Sequence, residues 1–183
     1  MNVWEILGLP ISLVLSPETV EEYFRTASEG SHPDAGGKAG EFEAFREARD
    51  LLGDDFRRLE AWLEVQGVEI AHSGAVSAEV GEMFVRVNEL TTGVDDWAEA
   101  GSTKASGLGK ALWQKQGFEW KARLEELLDE LAKWQEKEVA TFEGLEESLD
   151  FAKALSVRAT MGFQRKWRAS LQERFGKIWE GLV

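Results

Sequence analysis

The sequence predicts an all-α protein, in which a helical hairpin with a short first helix is followed by an antiparallel three-helix bundle. Three observations lead to this prediction. Apolar side chains recur every three or four residues over most of the chain, as they do along one face of a helix. Only 3 of the 183 residues are proline, which interrupts helices. Short segments rich in glycine and serine separate the periodic stretches.

The composition limits the possible classes of function. A formal net charge of -13 disfavours nucleic acid or an anionic membrane as the main partner. The chain has no cysteine, which excludes disulfides, cysteine-ligated metal sites and a thiol nucleophile. No apolar run reaches the roughly 18 residues of a membrane span, and the first residues lack the basic region of a signal peptide. We expect a cytoplasmic protein without a metal or cofactor of its own.

Two helices are predicted before the first long loop. Asn2 is a candidate N-cap for a short helix from Val3 to Leu7, which Gly8-Leu9-Pro10 ends. Ser16-Pro17 has the pattern of an N-cap followed by proline at the first helical position. This second helix is predicted to run to about Glu29, and its apolar stripe comprises Val20, Phe24 and Ala27.

The segment that follows, Ser31-His32-Pro33-Asp34-Ala35-Gly36-Gly37, cannot belong to a helix. Pro33 lacks a backbone N–H and disfavours the helical conformation at His32. Asp34 can bond its own backbone two residues on, and the two glycines allow a sharp reversal. The segment is therefore predicted to be a polar loop at the tip of the hairpin that presents an imidazole and a carboxylate close together.

After this loop, one continuous helix is predicted from Glu41 to about Val65. It can lie antiparallel to the second helix and bury the apolar stripe formed by Phe42, Phe45, Ala48, Leu52, Phe56, Leu59 and Leu63. The segment from Gly67 to Gly74 is rich in residues that break helices, and we expect a domain boundary there. The predicted organisation is a first domain over 1–66, a linker over 67–77 and a C-terminal bundle over 78–183.

Three helical segments joined by short links form the predicted bundle. The first runs from Ala78 to about Ala98, and the second, from Leu108 to about Val139, has a heptad-like seam. The last, from Thr141 to Leu182, is one long helix or two. Its predicted inward residues are Leu145, Leu149, Ala152, Ala159, Phe163, Trp167, Leu171, Phe175 and Ile178. Most of the 8 tryptophans fall on inward stripes, so we expect them in the core.

A run of bases lies within the last segment. From Lys153 to Lys177 there are seven Lys or Arg residues and one acid, Glu173. The simplest expectation is a solvated basic face that pairs with the acidic helix before it.

At the level of motifs, the first 65 residues resemble a J-domain, which has a short helix, a second helix that leads to His-Pro-Asp, and a third helix that begins with an aromatic residue. The opening resembles the HscB type of J-protein in particular, and in that family a three-helix domain follows the J-domain. The matching segments are Trp4-Glu5-Ile6-Leu7-Gly8-Leu9-Pro10, His32-Pro33-Asp34, Phe42, and Arg57-Arg58-Leu59-Glu60-Ala61-Trp62-Leu63.

The resemblance implies a co-chaperone rather than an enzyme. Its J-domain would dock on a DnaK- or HscA-type chaperone ATPase through His32, Pro33, Asp34 and Arg25, and would stimulate ATP hydrolysis there. The C-terminal domain would bind an IscU-type scaffold on which iron–sulfur clusters are assembled. The residues implied for that contact lie on the first helix of the bundle and are Met83, Phe84, Val87, Glu89 and Leu90; the same residues could instead be core.

Two other functions remain open. The chain could be a general or specialised J-protein with a different client, or an adaptor that binds partners without stimulating an ATPase. The adaptor is suggested by the second helix, which carries Arg25 among four glutamates where J-domains usually carry several bases. Bases on the third helix could take over that docking role, namely Arg46, Arg49, Arg57 and Arg58.

Overall fold

The computed structural model describes residues 2–29, 39–70, 77–101 and 106–182. In these ranges the chain forms eight α-helices and no β-strand, which confirms the predicted all-α class. The helices are α1 (Val3–Leu7), α2 (Pro17–Ser28), α3 (Ala39–Leu52), α4 (Asp55–Val65), α5 (Ala78–Gly101), α6 (Gly107–Val139), α7 (Phe142–Ser148) and α8 (Phe151–Leu182). None of these described helices is long and apolar enough to cross a bilayer.

The contacts divide the chain into two compact units. The first unit combines Met1–Gly74 with Glu138–Ala159, and the second combines Ala75–Lys137 with Thr160–Val183. This grouping differs from the predicted 1–66, 67–77 and 78–183 division in one respect, because residues 138–159 pack with the N-terminal helices. The predicted domain boundaries themselves stay a prediction.

Local sequence signals set the ends of α1 and α2 in the first unit. Asn2 accepts a hydrogen bond from the Glu5 backbone N–H at 2.9 Å, and the Glu5 carboxylate accepts one from the Asn2 N–H at 3.0 Å. This reciprocal pair is a capping box. Gly8 then ends α1 in the left-handed conformation, with φ of 73°. Ser16 accepts from the Thr19 N–H at 3.1 Å and caps α2, as predicted.

The predicted continuous helix from Glu41 to Val65 is wrong, because the chain breaks between α3 and α4. Gly53 follows the last residue of α3, and the Asp54 carboxylate accepts a hydrogen bond from the Arg57 N–H at 3.0 Å. Asp54 is thus the N-cap of a new helix, and aspartate is one of the residues favoured at this position. The apolar stripe continues across the break, with Leu52 and Leu59 both fully buried.

The last segment forms two helices, one of the two predicted alternatives. Leu149 has φ of 51°, a left-handed conformation that ends α7. The Asp150 carboxylate accepts from the Lys153 N–H at 3.0 Å and caps α8. This break changes the register, so the predictions that Leu149 and Ala152 face inward are wrong and both are exposed. Ala154 is fully buried instead.

In the second unit, α5, α6 and α8 share one apolar core. Trp97 of α5 stacks on Trp113 of α6 with ring centroids 4.5 Å apart. Each indole N–H donates to the backbone carbonyl of the other tryptophan, at 2.9 and 2.8 Å. Gly117 makes room for this pair, since a Cβ there would lie 2.5 Å from the Trp97 ring. Five of the tryptophans are buried as predicted, namely Trp4, Trp62, Trp97, Trp134 and Trp167.

Candidate functional site

The predicted docking motif, His32-Pro33-Asp34, lies outside the described residues. In the chain it falls between α2, which ends at Ser28, and α3, which begins at Ala39. These two helices pack together in the first unit, where the Phe24 and Phe42 rings have centroids 6.2 Å apart. The structure therefore describes the helices on either side of the motif, and the role of the motif stays a prediction.

The outer surface of α2 is predominantly anionic. It contains a shallow hollow of about 520 Å³ whose lining residues are Glu18, Glu21, Glu22, Phe24, Arg25 and Ser28. Arg25, the predicted docking base, is exposed there. A backbone hydrogen bond and a bond with the Ser16 hydroxyl lower the pKa of Glu18, so its charge persists to lower pH than usual. Arg25 is thus outnumbered by the glutamates around it.

Most of the arginines that could have supplied an alternative basic surface on α3 and α4 are engaged. Arg46 pairs with Glu43 at 2.6 Å, and Arg49 lies over the Phe24 ring with its guanidinium carbon 4.6 Å from the centroid. Arg58 is only 3% exposed. Arg57 is exposed on α4. Internal packing therefore uses Arg49 and Arg58, whereas Arg46 and Arg57 stay exposed.

Arg58 is a structural residue that the sequence analysis treated as a surface base. Its Nε donates to the Leu13 carbonyl at 2.9 Å, and its Nη1 donates to the Leu52 carbonyl. Its Nη2 pairs with Asp55 at 2.6 Å. One side chain thus joins the end of α3 and the start of α4 to the segment before α2. The sequence signal for this structural role is Asp55, an acid three residues before Arg58 on the same helix.

The five residues predicted for scaffold binding separate into two groups on α5. Met83, Val87 and Leu90 are buried in the core of the second unit. Phe84 and Glu89 are exposed. Five residues of helix correspond to a rotation of about 140° beyond one full turn, so these two side chains lie on different sides of α5. The predicted contact set stays a prediction, and only Phe84 and Glu89 have exposed side chains.

Glu89 borders a groove between α5 and α6 that sequence analysis did not predict. Its volume is about 300 Å³, and its lining residues are Arg86, Glu89, Leu90, Trp120, Arg123, Glu126 and Leu127. Arg86 spans the two helices at one end and bonds both carboxylate oxygens of Glu130 at 2.6 Å. This pairing raises the pKa of Arg86 and lowers the pKa of Glu130. Trp120 lies beneath Arg123, with 5.1 Å from guanidinium carbon to ring centroid.

Among the described residues, no three or more His, Asp or Glu side chains are grouped so that they could hold a metal ion. His72, which falls in the predicted linker over 67–77, lies outside the described residues.

No protein-family model matches the sequence, and no curated protein matches it. Among solved structures, the chain is similar to the chaperone HscB from Vibrio cholerae. The two align with a TM-score of 0.63 over 94% of this chain and 96% of that one, at 20% sequence identity. At this identity the likeness concerns the fold. The resemblance in fold predicted from the motifs is thus confirmed, and this chain has an HscB-like, all-α fold.

Proposed function

We propose that this protein is a J-type co-chaperone that stimulates the ATPase of a DnaK- or HscA-type chaperone and delivers a protein client to it. The observation that carries the proposal is the HscB-like fold over 94% of the chain. The sequence His32-Pro33-Asp34, placed between α2 and α3, supports it independently. The chain itself would catalyse no reaction, because ATP and its hydrolysis belong to the chaperone.

In the proposed docking, Asp34 accepts a charge-assisted hydrogen bond from an arginine of the chaperone. Such bonds contribute about 1.5–3 kcal/mol, roughly twice a neutral bond. Pro33 restricts the backbone of the loop, so that less conformational freedom is lost when the chaperone binds. Arg25, exposed on α2, would lie in the same docking surface.

The proposed client is an IscU-type scaffold protein, so that the co-chaperone would serve iron–sulfur cluster assembly in the cytoplasm. The cluster would be carried by the scaffold, which is consistent with a chain that contains no cysteine. On α5, Phe84 and Glu89 would make the contact, since both are exposed. The buried Met83, Val87 and Leu90 would support the helix from within.

A steady-state ATPase assay with the cognate chaperone tests the proposal. We expect stimulation by the wild-type chain and a tenfold or greater loss for Asp34→Asn, from the energy of a charge-assisted bond of about 1.5–3 kcal/mol. Asp96→Asn makes the same chemical change at an exposed position of α5 and should stimulate like wild type. The proposal fails if the wild-type chain gives no stimulation or if Asp34→Asn matches it.

The anionic surface of α2 favours a second candidate, an adaptor that binds a partner without activating an ATPase. Glu18, Glu21 and Glu22 surround Arg25 on this surface. The adaptor predicts scaffold binding, measured by calorimetry, without ATPase stimulation. Stimulation without scaffold binding would instead indicate a J-protein with another client.

A further inference from the structure

The segment before α2 is held by a carboxylate from far along the chain. Oε2 of Glu146, on α7, accepts a hydrogen bond from the Ser12 hydroxyl at 2.9 Å and another from the Leu13 backbone N–H at 2.7 Å. The second bond joins residues that are 133 positions apart in the sequence. Both bonds lie within the first unit, which includes Glu138–Ala159. Because the acceptor is a carboxylate, each bond is charge-assisted and about twice as strong as a neutral one.

Leu13 is fixed on both sides of its backbone. Its N–H donates to Glu146, and its carbonyl accepts from Nε of Arg58 at 2.9 Å. Its side chain is fully buried. The carbonyl of the preceding residue, Ser12, accepts from the Trp4 indole N–H at 3.1 Å. Side chains from α1, α4 and α7 therefore set the path of the chain at these two residues.

This anchored segment lies directly before α2. Ser16, the N-cap of α2, follows Leu13 by three residues, which span at most about 11 Å when fully extended. The segment is more compact than that, because the Leu15 N–H donates back to the Leu13 carbonyl at 3.2 Å. A shift of Leu13 would therefore displace the start of α2.

Packing alone holds α2 weakly. Among the described residues of α2, only Val20 is buried. Phe24 is half-buried against Phe42, and Arg49 lies over the Phe24 ring. A helix that buries so few side chains has low local stability, and its orientation depends more strongly on the bonds at its ends. The hydrogen bonds of Glu146 secure the N-terminal end.

We propose that Glu146 is a positioning residue for chaperone docking, which holds α2 in the orientation that a DnaK- or HscA-type chaperone recognises. This inference rests on the proposed co-chaperone function and adds to it a residue outside the segment that resembles a J-domain. Loss of the two bonds would let α2 adopt other orientations. Only molecules in the docking orientation would bind, so the apparent affinity for the chaperone would fall with their fraction.

Titration of the full chain into a steady-state ATPase assay of the chaperone tests the proposal. Glu146→Ala removes the acceptor and should raise the concentration needed for half-maximal stimulation about three- to tenfold. The maximal rate should stay within about twofold of wild type, because only the docking step is affected. Glu147→Ala removes the same charge at an exposed position of α7 and should behave like wild type.

Two conservative variants separate the position of the acceptor from its charge. Glu146→Gln keeps an oxygen at the same place but is neutral, so the half-maximal concentration should rise less than about threefold. Glu146→Asp keeps the charge but is one methylene shorter, so its oxygen no longer reaches the Leu13 N–H. It should behave like Glu146→Ala, and the reverse order of the two variants would overturn the inference.

Amide hydrogen exchange supplies a measurement at the anchored segment itself. The Leu13 amide should exchange at least about tenfold faster in Glu146→Ala than in wild type, as expected when a charge-assisted bond is lost. It should be unchanged in Glu147→Ala. Circular dichroism at the assay temperature should show wild-type helicity in every variant. If Glu146→Ala loses helicity, the comparison of Glu146→Gln with Glu146→Asp decides the question.

The outcomes separate this inference from the function on which it rests. No stimulation by the wild-type chain rejects both. Stimulation by wild type, with an unchanged half-maximal concentration in Glu146→Ala and Glu146→Asp, rejects the positioning role alone. Equal effects of Glu146→Ala and Glu147→Ala also reject it. A rise confined to Glu146→Ala and Glu146→Asp, together with faster exchange at Leu13, supports the positioning role.

Discussion

Replacing Arg58 with methionine should destabilise the first unit more than any change at its exposed neighbours. The substitution keeps a long, largely apolar side chain but removes every donor of the guanidinium group. The carbonyls of Leu13 and Leu52 then lose their side-chain donor, and Asp55 loses a partner at 2.6 Å. Each buried polar group left without a partner costs about 1–3 kcal/mol.

The expected loss in the free energy of unfolding is about 3–5 kcal/mol, the range found when one partner of a buried ion pair is removed. Arg58→Lys keeps the charge but offers one donor position in place of the planar fork, so its loss should be intermediate, at about 2 kcal/mol. Arg57→Met is the matched control, because Arg57 is exposed on the same helix, and its effect should stay within about 0.5 kcal/mol.

Urea denaturation followed by circular dichroism measures the stability of the full chain, and amide hydrogen exchange in α3 and α4 locates the change in the first unit. The free energies of unfolding of Arg58→Met and Arg57→Met could differ by less than about 1 kcal/mol, which is on the order of the scatter for surface changes. In that case the hydrogen bonds of Arg58 do not stabilise the fold, and the prediction is refuted.

Two further predictions concern the second unit. Gly93→Ala should destabilise it by about 1–3 kcal/mol, because the new Cβ would lie 2.4 Å from the Trp120 ring. Gly81→Ala places its Cβ in open space and should stabilise α5 by about 0.5–1 kcal/mol. Equal effects of the two substitutions in thermal melts would contradict this prediction. Hydrogen bonding from Lys177 lowers the pKa of Asp95, so the stabilising charge is fully present above its ordinary value of 3.8 and is lost as pH falls below it. Urea unfolding at a series of pH values should therefore show a smaller loss of stability below about pH 4 in Asp95→Asn than in wild type, and parallel curves would exclude the ion pair as the cause.

Helix ends with a local signal were predictable, and ends that depend on packing were not. Asn2 and Ser16 act as caps within three residues of their own position, so sequence alone identifies them. The α3–α4 break has a comparable signal in Gly53-Asp54, but the apolar stripe that continues through it favours a single helix. At Leu149, a leucine adopts the left-handed conformation, which propensity disfavours, so the local signal of that break is confined to Asp150, the N-cap of α8.

Candidate contact residues were predictable in type but not in orientation. The apolar residues of α5 include both core and surface positions, and a spacing of three or four residues does not separate Met83 from its neighbour Phe84. Only the positions of α6 and α8 decide which of them is covered.

The distribution of ion pairs also explains why net charge alone is a poor guide to docking. In the run from Lys153 to Lys177, Arg158 pairs with Glu60 of α4, and Arg174 and Lys177 pair with Asp95 of α5, rather than with the preceding helix. Bases that pair in this way contribute little to attraction at a distance. Under the proposed function, the chaperone would meet a surface of α2 on which Arg25 is exposed among Glu18, Glu21 and Glu22. Docking would then depend on this local arrangement of charges rather than on the net charge of -13.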